Sequence, residues 1–130
     1  MVLVSVILPY FKKKEFLEET INSILSQTYK NFEIILIDDE ISSDSKNFLD
    51  KISKKDTRIK LIKNEKNLGA GLSRNIAIRY SKGDYIAFCD CDDLWKQNKL
   101  EKQIKFMKDH NLEFSFTSYE IVDNDDIRIG

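Results

Sequence analysis

Cysteine, proline, glycine and histidine are all scarce in this chain. Its 130 residues include two cysteines, one proline, four glycines and one histidine. Two cysteines make no disulfide framework and lack the four-ligand spacing of a structural zinc site. Cys89 and Cys91 are expected to be unpaired, with side chains on opposite sides of the chain, which fits a reducing cytoplasm. So little proline and glycine leaves no room for long linkers, and one domain is expected over residues 1–130. No run approaches the roughly 18 apolar residues of a membrane span. The apolar start has neither a basic leader nor a small-residue cleavage site, so it does not read as a secretory signal. Excess charge is missing too. Lys+Arg 21 against Asp+Glu 22 leaves a net charge of -1, which gives no global field for nucleic acid or an anionic membrane. No nucleic-acid partner is expected.

What the chain does have is apolar content, 42% of residues, arranged in alternating short runs and longer amphipathic stretches. Residues 2–8 are apolar on both faces except Ser5, which suits a strand covered on both sides, ended by Pro9. Phe16, Leu17, Ile21, Ile24 and Leu25 recur at helical spacing. Residues 32–37 form a second buried strand, followed by Asp38 and Asp39. Phe48, Leu49 and Ile52 mark a short helix, and residues 58–62 a third strand. Leu72, Ile76 and Tyr80 mark another helix, residues 85–89 a fourth strand, and Leu100, Ile104 and Met107 one face of a further helix. Residues 114–119 are expected to start another strand. Strand and helix in alternation predict βαβ units, a mainly parallel sheet and helices on both faces. Ligands in such sheets bind beyond the carboxyl ends of the strands, at a switch point.

Those strand ends carry the chemistry. Asp38 and Asp39 follow the second strand; Asp90, Asp92 and Asp93 follow the fourth. Buried strand-end carboxylates are costly without a compensating charge, and a divalent cation is one compensation. Hard oxygen ligands suit Mg²⁺ or Mn²⁺, which take one or two carboxylates together with substrate phosphates. In an extended segment Asp90 and Asp92 would face one ion together. The competing reading makes these residues turn formers, or makes Asp92 or Asp93 the cap of the next helix. The segment from Asn67 to Asn75, rich in small residues, runs from a loop into a helix. It lets backbone approach a ligand and offers Arg74 to a phosphate or a carboxylate. It is neither a Gly-rich Lys-Ser phosphate loop nor a dinucleotide fingerprint.

In their order these residues resemble the family 2 glycosyltransferases of the GT-A fold. Ser5-Val6-Ile7-Leu8-Pro9-Tyr10 is similar to the family's opening strand. Ser26-Gln27-Thr28-Tyr29 and Phe32-Glu33-Ile34-Ile35 are similar to its first helix end and second strand. Asp38-Asp39, the Asn67, Gly69, Arg74, Asn75 element and Gly83-Asp84-Tyr85-Ile86-Ala87-Phe88 with Asp90-Cys91-Asp92-Asp93 follow, and Trp95, Leu100, Glu101 and Gln103 continue the match. The resemblance covers nearly all of residues 3–105.

The resemblance implies a truncated three-layer α/β/α GT-A sandwich, Rossmann-like. It also implies an inverting transfer from a nucleoside-diphosphate sugar, with UDP expected, to a saccharide or lipid-linked acceptor. Bacterial members build surface polysaccharides, so a cytoplasmic location, at the inner face of the membrane, is implied. Pro9 and Tyr10 would line the nucleoside pocket. Asp39 would accept from the base, with Asp38 supporting it, and Asn67, Gly69 and Arg74 would border base and ribose. Asp90, Cys91 and Asp92 would form the Asp-x-Asp motif. Within it Asp92 would touch Mn²⁺ or Mg²⁺ directly, and Asp90 the ribose or a metal-bound water. The loop from Asp38 to Asp44 is one residue longer than the family's Asp-Asp-Gly-Ser-x-Asp. In the family the catalytic base and much of the acceptor site come later, so the base is expected beyond Gly130. Asp123, Asp125 and Asp126 are not given that role, and this fragment is expected to be inactive alone. Three other readings differ in class. A non-catalytic nucleotide-binding module shares the same pocket. A receiver-type signalling domain needs its acidic pair after the first strand, where Pro9-Tyr10 stands. A nucleotidyltransferase needs a Gly-rich loop there.

Overall fold

Four apolar runs become the strands of one sheet, and the amphipathic stretches between them become its helices. The structure, a computed structural model, describes residues 1–123, 125, 128 and 129; Asp126 and Gly130, named above, lie outside them. In chain order the elements are β1 (Val4–Tyr10), α1 (Lys14–Leu25), β2 (Phe32–Asp38), α2 (Ser43–Ser53), β3 (Ile59–Lys63), α3 (Ala70–Tyr80), β4 (Tyr85–Phe88) and α4 (Lys99–Asp109). All strand pairings are parallel, in the order β3-β2-β1-β4.

The alternation of side chains along the central strands divides the core in two. Val4, Val6, Leu8 and Tyr10 of β1, with Phe32, Ile34 and Leu36 of β2, meet Leu17, Ile21 and Ile24 of α1, Leu49 and Ile52 of α2, and Leu100 and Ile104 of α4. Ile7, Ile35 and Ile37 point the other way, onto Ala77 of α3. The result is three layers, with three helices on one face and α3 on the other.

Four expectations need correction. Pro9 does not end β1 but pairs with Ile37 inside it. The carbonyl of Ile7 accepts from Cys89 N–H, so odd-numbered residues of β1 face β4. That strand has ended by the level of Pro9, so the missing N–H breaks no ladder bond. In α3 the buried residues are Ser73 and Ala77, whereas Leu72 and Tyr80 are exposed. Small side chains let this helix lie close to β1 and β2. Cys89 and Cys91 are free, but they do not face opposite sides. Both join the larger core. Residues 114–119 form no strand, and Phe114, Phe116 and Tyr119 are exposed. β4 is left as an edge strand paired only with β1 among the described residues, and this segment does not pair with its free edge.

At the amino ends of the strands a buried polar cluster ties β1, β2 and β3 to the turn before β4. Glu33 accepts from Ser5 Oγ at 2.6 Å, from the Lys82 N–H at 2.7 Å and from Lys60 Nζ at 2.5 Å. Ser5 Oγ in turn accepts from the Gly83 N–H at 2.8 Å. Burial alone would raise the Glu33 pKa. The bonds from Lys60, Ser5 and Lys82 outweigh it and hold the group below its ordinary 4.5. A lowered native pKa stabilises the fold above the ordinary value and stops doing so as pH falls through the native one. Glu33→Gln should therefore cost about 1 kcal/mol near neutral pH. That difference should shrink as pH falls below 4.5. Urea unfolding of both proteins across pH checks it, and a pH-independent difference would count against the ionised network.

Candidate functional site

The strand order reverses between β1 and β4, and the space beyond their carboxyl ends is the switch point of this sheet. A cleft of about 350 Å³ opens there. Nine of the ten expected residues line it: Pro9, Tyr10, Asp39, Asn67, Gly69, Arg74, Asp90, Cys91 and Asp92. Phe11, Lys13 and Ala70 join them. Phe11 is exposed and offers a ring to solution, whereas Tyr10 is buried with its ring 6.4 Å from that of Phe48. Burial, and then the charges of Glu40, Cys91, Asp38 and Asp44, raise the Tyr10 phenol to about 12, so it is neutral at physiological pH.

The two adjacent aspartates do different work. Asp38 is the tenth expected residue and does not reach the cleft. Fully buried, it accepts from the Glu40 and Ile41 N–H groups at 3.1 and 3.0 Å, and Ser45 Oγ lies at 3.1 and 3.0 Å from its two oxygens. It thereby shapes the longer loop and the start of α2. There Ser42 and Ser45 form a reciprocal capping box, which satisfies free N–H groups of the first turn. Ile41 sits at φ 57° in this loop, a costly conformation for a β-branched residue.

Asp39 turns the other way and organises the cleft wall. One of its oxygens accepts from Asn64 Nδ2 at 2.9 Å and the Leu68 N–H at 2.7 Å. The other accepts from the Gly69 N–H at 2.9 Å and Asn67 Nδ2 at 3.1 Å. Four donors thus meet one buried carboxylate. Gly69 adopts φ 85° as the residue before α3, a conformation open to glycine at little cost. That geometry turns its N–H toward Asp39.

The acidic segment after β4 is a turn, not the extended segment expected. The Asp93 N–H donates to the Asp90 carbonyl at 3.1 Å. Asp90 and Asp92 nevertheless line the same cleft. Neither Asp92 nor Asp93 caps a helix, since α4 begins only at Lys99 after Asn98. Each carboxylate of the acidic turn that lines the cleft has a cation: Arg74 lies 2.8 Å from Asp90, and Lys13 lies 3.4 Å from Asp92. Asp93 faces a neighbouring cavity of about 390 Å³ beside Arg74, Phe88 and Asp90. Burial, followed by the charges of Asp90 and Asp92, raises its pKa.

This donor set fits a hard divalent cation. Asp90 and Asp92 present accessible oxygens, and such ions use one or two carboxylates while leaving positions for phosphate and water. Among the described residues no three His, Cys, Asp or Glu side chains gather into a closed metal cage. Soft ligation is disfavoured as well, since burial raises the pKa of both Cys89 and Cys91 and keeps the thiols protonated. Lys13 was missed in the sequence. It is one of three consecutive lysines, and nothing local distinguishes it. Asn64 opens the segment 64–71 that follows the third strand, a position that marks it in the sequence, and its amide is one of the four donors to Asp39.

Folds that set an acidic cleft at the switch point of a parallel α/β sheet include the GT-A glycosyltransferases. Residues 5–129 match the glycosyl transferase family 2 model, and the chain belongs to that family. It is 43% identical over 125 residues to the UDP-Glc:alpha-D-GlcNAc-diphosphoundecaprenol beta-1,3-glucosyltransferase WfgD of Escherichia coli, covering 96% of this chain and 49% of that enzyme. The chain thus spans about half the length of that relative. The fold is also that of S. aureus TarS in complex with UDP-GlcNAc, with a TM-score of 0.75 and 22% identity over 92% of this chain and 40% of that one. A Pyrobaculum calidifontis mannosyltransferase in complex with GDP-Man and Mn²⁺ gives a TM-score of 0.73 and 21% identity, covering 80% of this chain and 32% of that one.

Proposed function

We propose that residues 1–130 form the donor-binding part of an inverting glycosyltransferase that uses a UDP-sugar. Its acceptor would be a saccharide or a lipid-linked saccharide in surface polysaccharide synthesis. The observation that carries this reading is the meeting of two structures on one cleft: the loop held by Asp39 and the Asp90–Asp92 pair. The name of WfgD, with its UDP-sugar donor and diphosphoundecaprenol-linked acceptor, supports the donor and acceptor classes. A lipid-linked acceptor would place the work at the inner face of the cytoplasmic membrane. Among the described residues no helix is long and apolar enough to cross one.

In this reading Phe11 and the backbone of Pro9 and Tyr10 form one wall of the nucleoside pocket, and Asn67, Gly69 and Ala70 form the other. A base N–H reaches Asp39 by taking the place of the Asn67 amide, the longest of the four contacts at 3.1 Å. Asp92 holds a divalent cation directly, and Asp90 holds the ribose or a metal-bound water. When bound, that cation neutralises the diphosphate as it leaves. Arg74, on the wall beside Asp90, faces the same phosphates. The base that deprotonates the acceptor is not assigned to any residue described here.

Calorimetric titration with UDP, with and without Mn²⁺, tests the reading. The chain should bind UDP only with the metal. Asp92→Asn, nearly isosteric, should weaken that binding at least about tenfold, as loss of one charged ligand contact implies, with unfolding unchanged. Equal metal-dependent affinity in the variant would remove Asp92 from the metal site. Binding of GDP in preference to UDP would reassign the nucleotide to the altered loop at residues 40–43.

A further inference from the structure

Lys13 belongs to no part of the site read from the sequence, yet it lines the cleft beside Asp92. Its ammonium lies 3.4 Å from Asp92, and both side chains are substantially exposed, at 45% and 39%. A pair this wet is held weakly and is readily exchanged. The backbone of Lys13 is far less free. Its carbonyl accepts from Phe16 N–H and Leu17 N–H, each at 3.1 Å, and so starts α1. Lys12 before it takes the left-handed φ of 51°. The chain therefore anchors Lys13 at the cleft mouth while its four-carbon stem leaves the charge mobile.

On the other wall Arg74 pairs with Asp90 at 2.8 Å. The Asp90–Asp92 pair and its two cations cancel in formal charge. A divalent cation arriving alone meets two carboxylates already neutralised by neighbours of its own sign. A diphosphate arriving with it supplies negative charge for both lysine and arginine. Resting on the donor-site reading above, we propose that Lys13 is an exchangeable counter-ion. It guards Asp92 when the cleft is unloaded and swings onto the diphosphate when the metal takes its place. Lys13 is then a positioning residue that couples metal binding to nucleotide binding, so that the free metal ion is taken up poorly and the metal–nucleotide complex well. The chemistry it recognises is the diphosphate, not the base or the sugar.

The consequence has two signs, which a merely structural lysine would not produce. Lys13→Met keeps most of the stem and removes the charge. It should bind Mn²⁺ alone about threefold to tenfold tighter than the unaltered chain, since one competing cation is gone. It should bind UDP at saturating Mn²⁺ about tenfold more weakly, since one charge-assisted contact is lost. Lys13→Arg should restore UDP binding to within about threefold. The free Mn²⁺ signal in electron paramagnetic resonance reads the first quantity, and calorimetry the second and third. Unchanged UDP affinity in Lys13→Met would overturn the diphosphate contact, and unchanged Mn²⁺ affinity would overturn the guarding of Asp92. If the unaltered chain binds neither UDP nor Mn²⁺, the donor-site reading falls and this inference with it. If it binds both and Lys13→Met matches it, only the inference falls.

Discussion

Asp39→Ala should cost about 3 kcal/mol of stability and abolish detectable binding of UDP. The carboxylate gathers two side-chain amides and the N–H groups of Leu68 and Gly69 at 2.7 to 3.1 Å. Removing it leaves several partly buried donors without an acceptor, each costing about 1–3 kcal/mol before relaxation and entering water recover part of the loss. A loss of that size is a large fraction of the roughly 5–15 kcal/mol that holds an ordinary domain together. Asp39→Asn should recover little, because its NH₂ would face donors where an oxygen stood. The loop from Asn67 to Gly69 would lose its anchor in either variant. Binding should then fail through the cleft wall even where the metal carboxylates are intact, so Mn²⁺ binding alone should change little. Urea unfolding and calorimetry on the same preparations measure both effects. A stability change under about 1 kcal/mol would show that water replaces the carboxylate, and that Asp39 does not scaffold the loop.

Gly83→Ala should have a comparable effect on stability and almost none on the site. A Cβ there would lie 2.5 Å from the Ser5 backbone nitrogen, 2.6 Å from Ser5 Oγ and 2.8 Å from the Tyr85 carbonyl oxygen. Two of those three atoms are backbone, and they cannot rotate away. The turn is also held from several directions: Asp84 N–H donates to the Leu3 carbonyl at 2.7 Å, Gly83 N–H to Ser5 Oγ and Lys82 N–H to Glu33. Forcing a methyl into this space costs about 1–3 kcal/mol or more for overpacking, and any shift opens the buried Glu33 cluster as well. A loss of about 3 kcal/mol is expected. Gly83 precedes β4, whereas the acidic turn follows it. Folded Gly83→Ala protein should therefore keep the UDP affinity of the unaltered chain. A wild-type unfolding midpoint would mean that the turn yields freely, and a selective loss of UDP binding would mean that the two ends of the sheet are coupled.

These variants separate two kinds of information. Glu33 stood inside an apolar run and read only as part of a strand; its partners Ser5, Lys60 and Lys82 are far apart in the chain. Gly83 read as a turn glycine, and the reason no side chain fits there is a strand 78 residues away. The helix α3 was legible in period but not in face. Leu72 and Tyr80 look like its buried side, yet Ser73 and Ala77 are the residues that meet the sheet. Residues 114–119 have the composition of a strand, yet they leave the free edge of β4 unpaired.

The sequence by itself determined the order of the elements, the parallel sheet and the membership of the acidic strand ends in one site. Apolar periodicity is local, and a parallel α/β sheet brings every strand's carboxyl end to the same side. Tertiary structure alone decided which of two neighbouring aspartates faces the cleft. Successive residues leave the end of a strand in opposite directions, so Asp38 goes to the loop before α2 and Asp39 to the loop before α3. It also decided that Lys13, among three consecutive lysines, stands against Asp92, because α1 begins at a point in space that no local pattern of residues records.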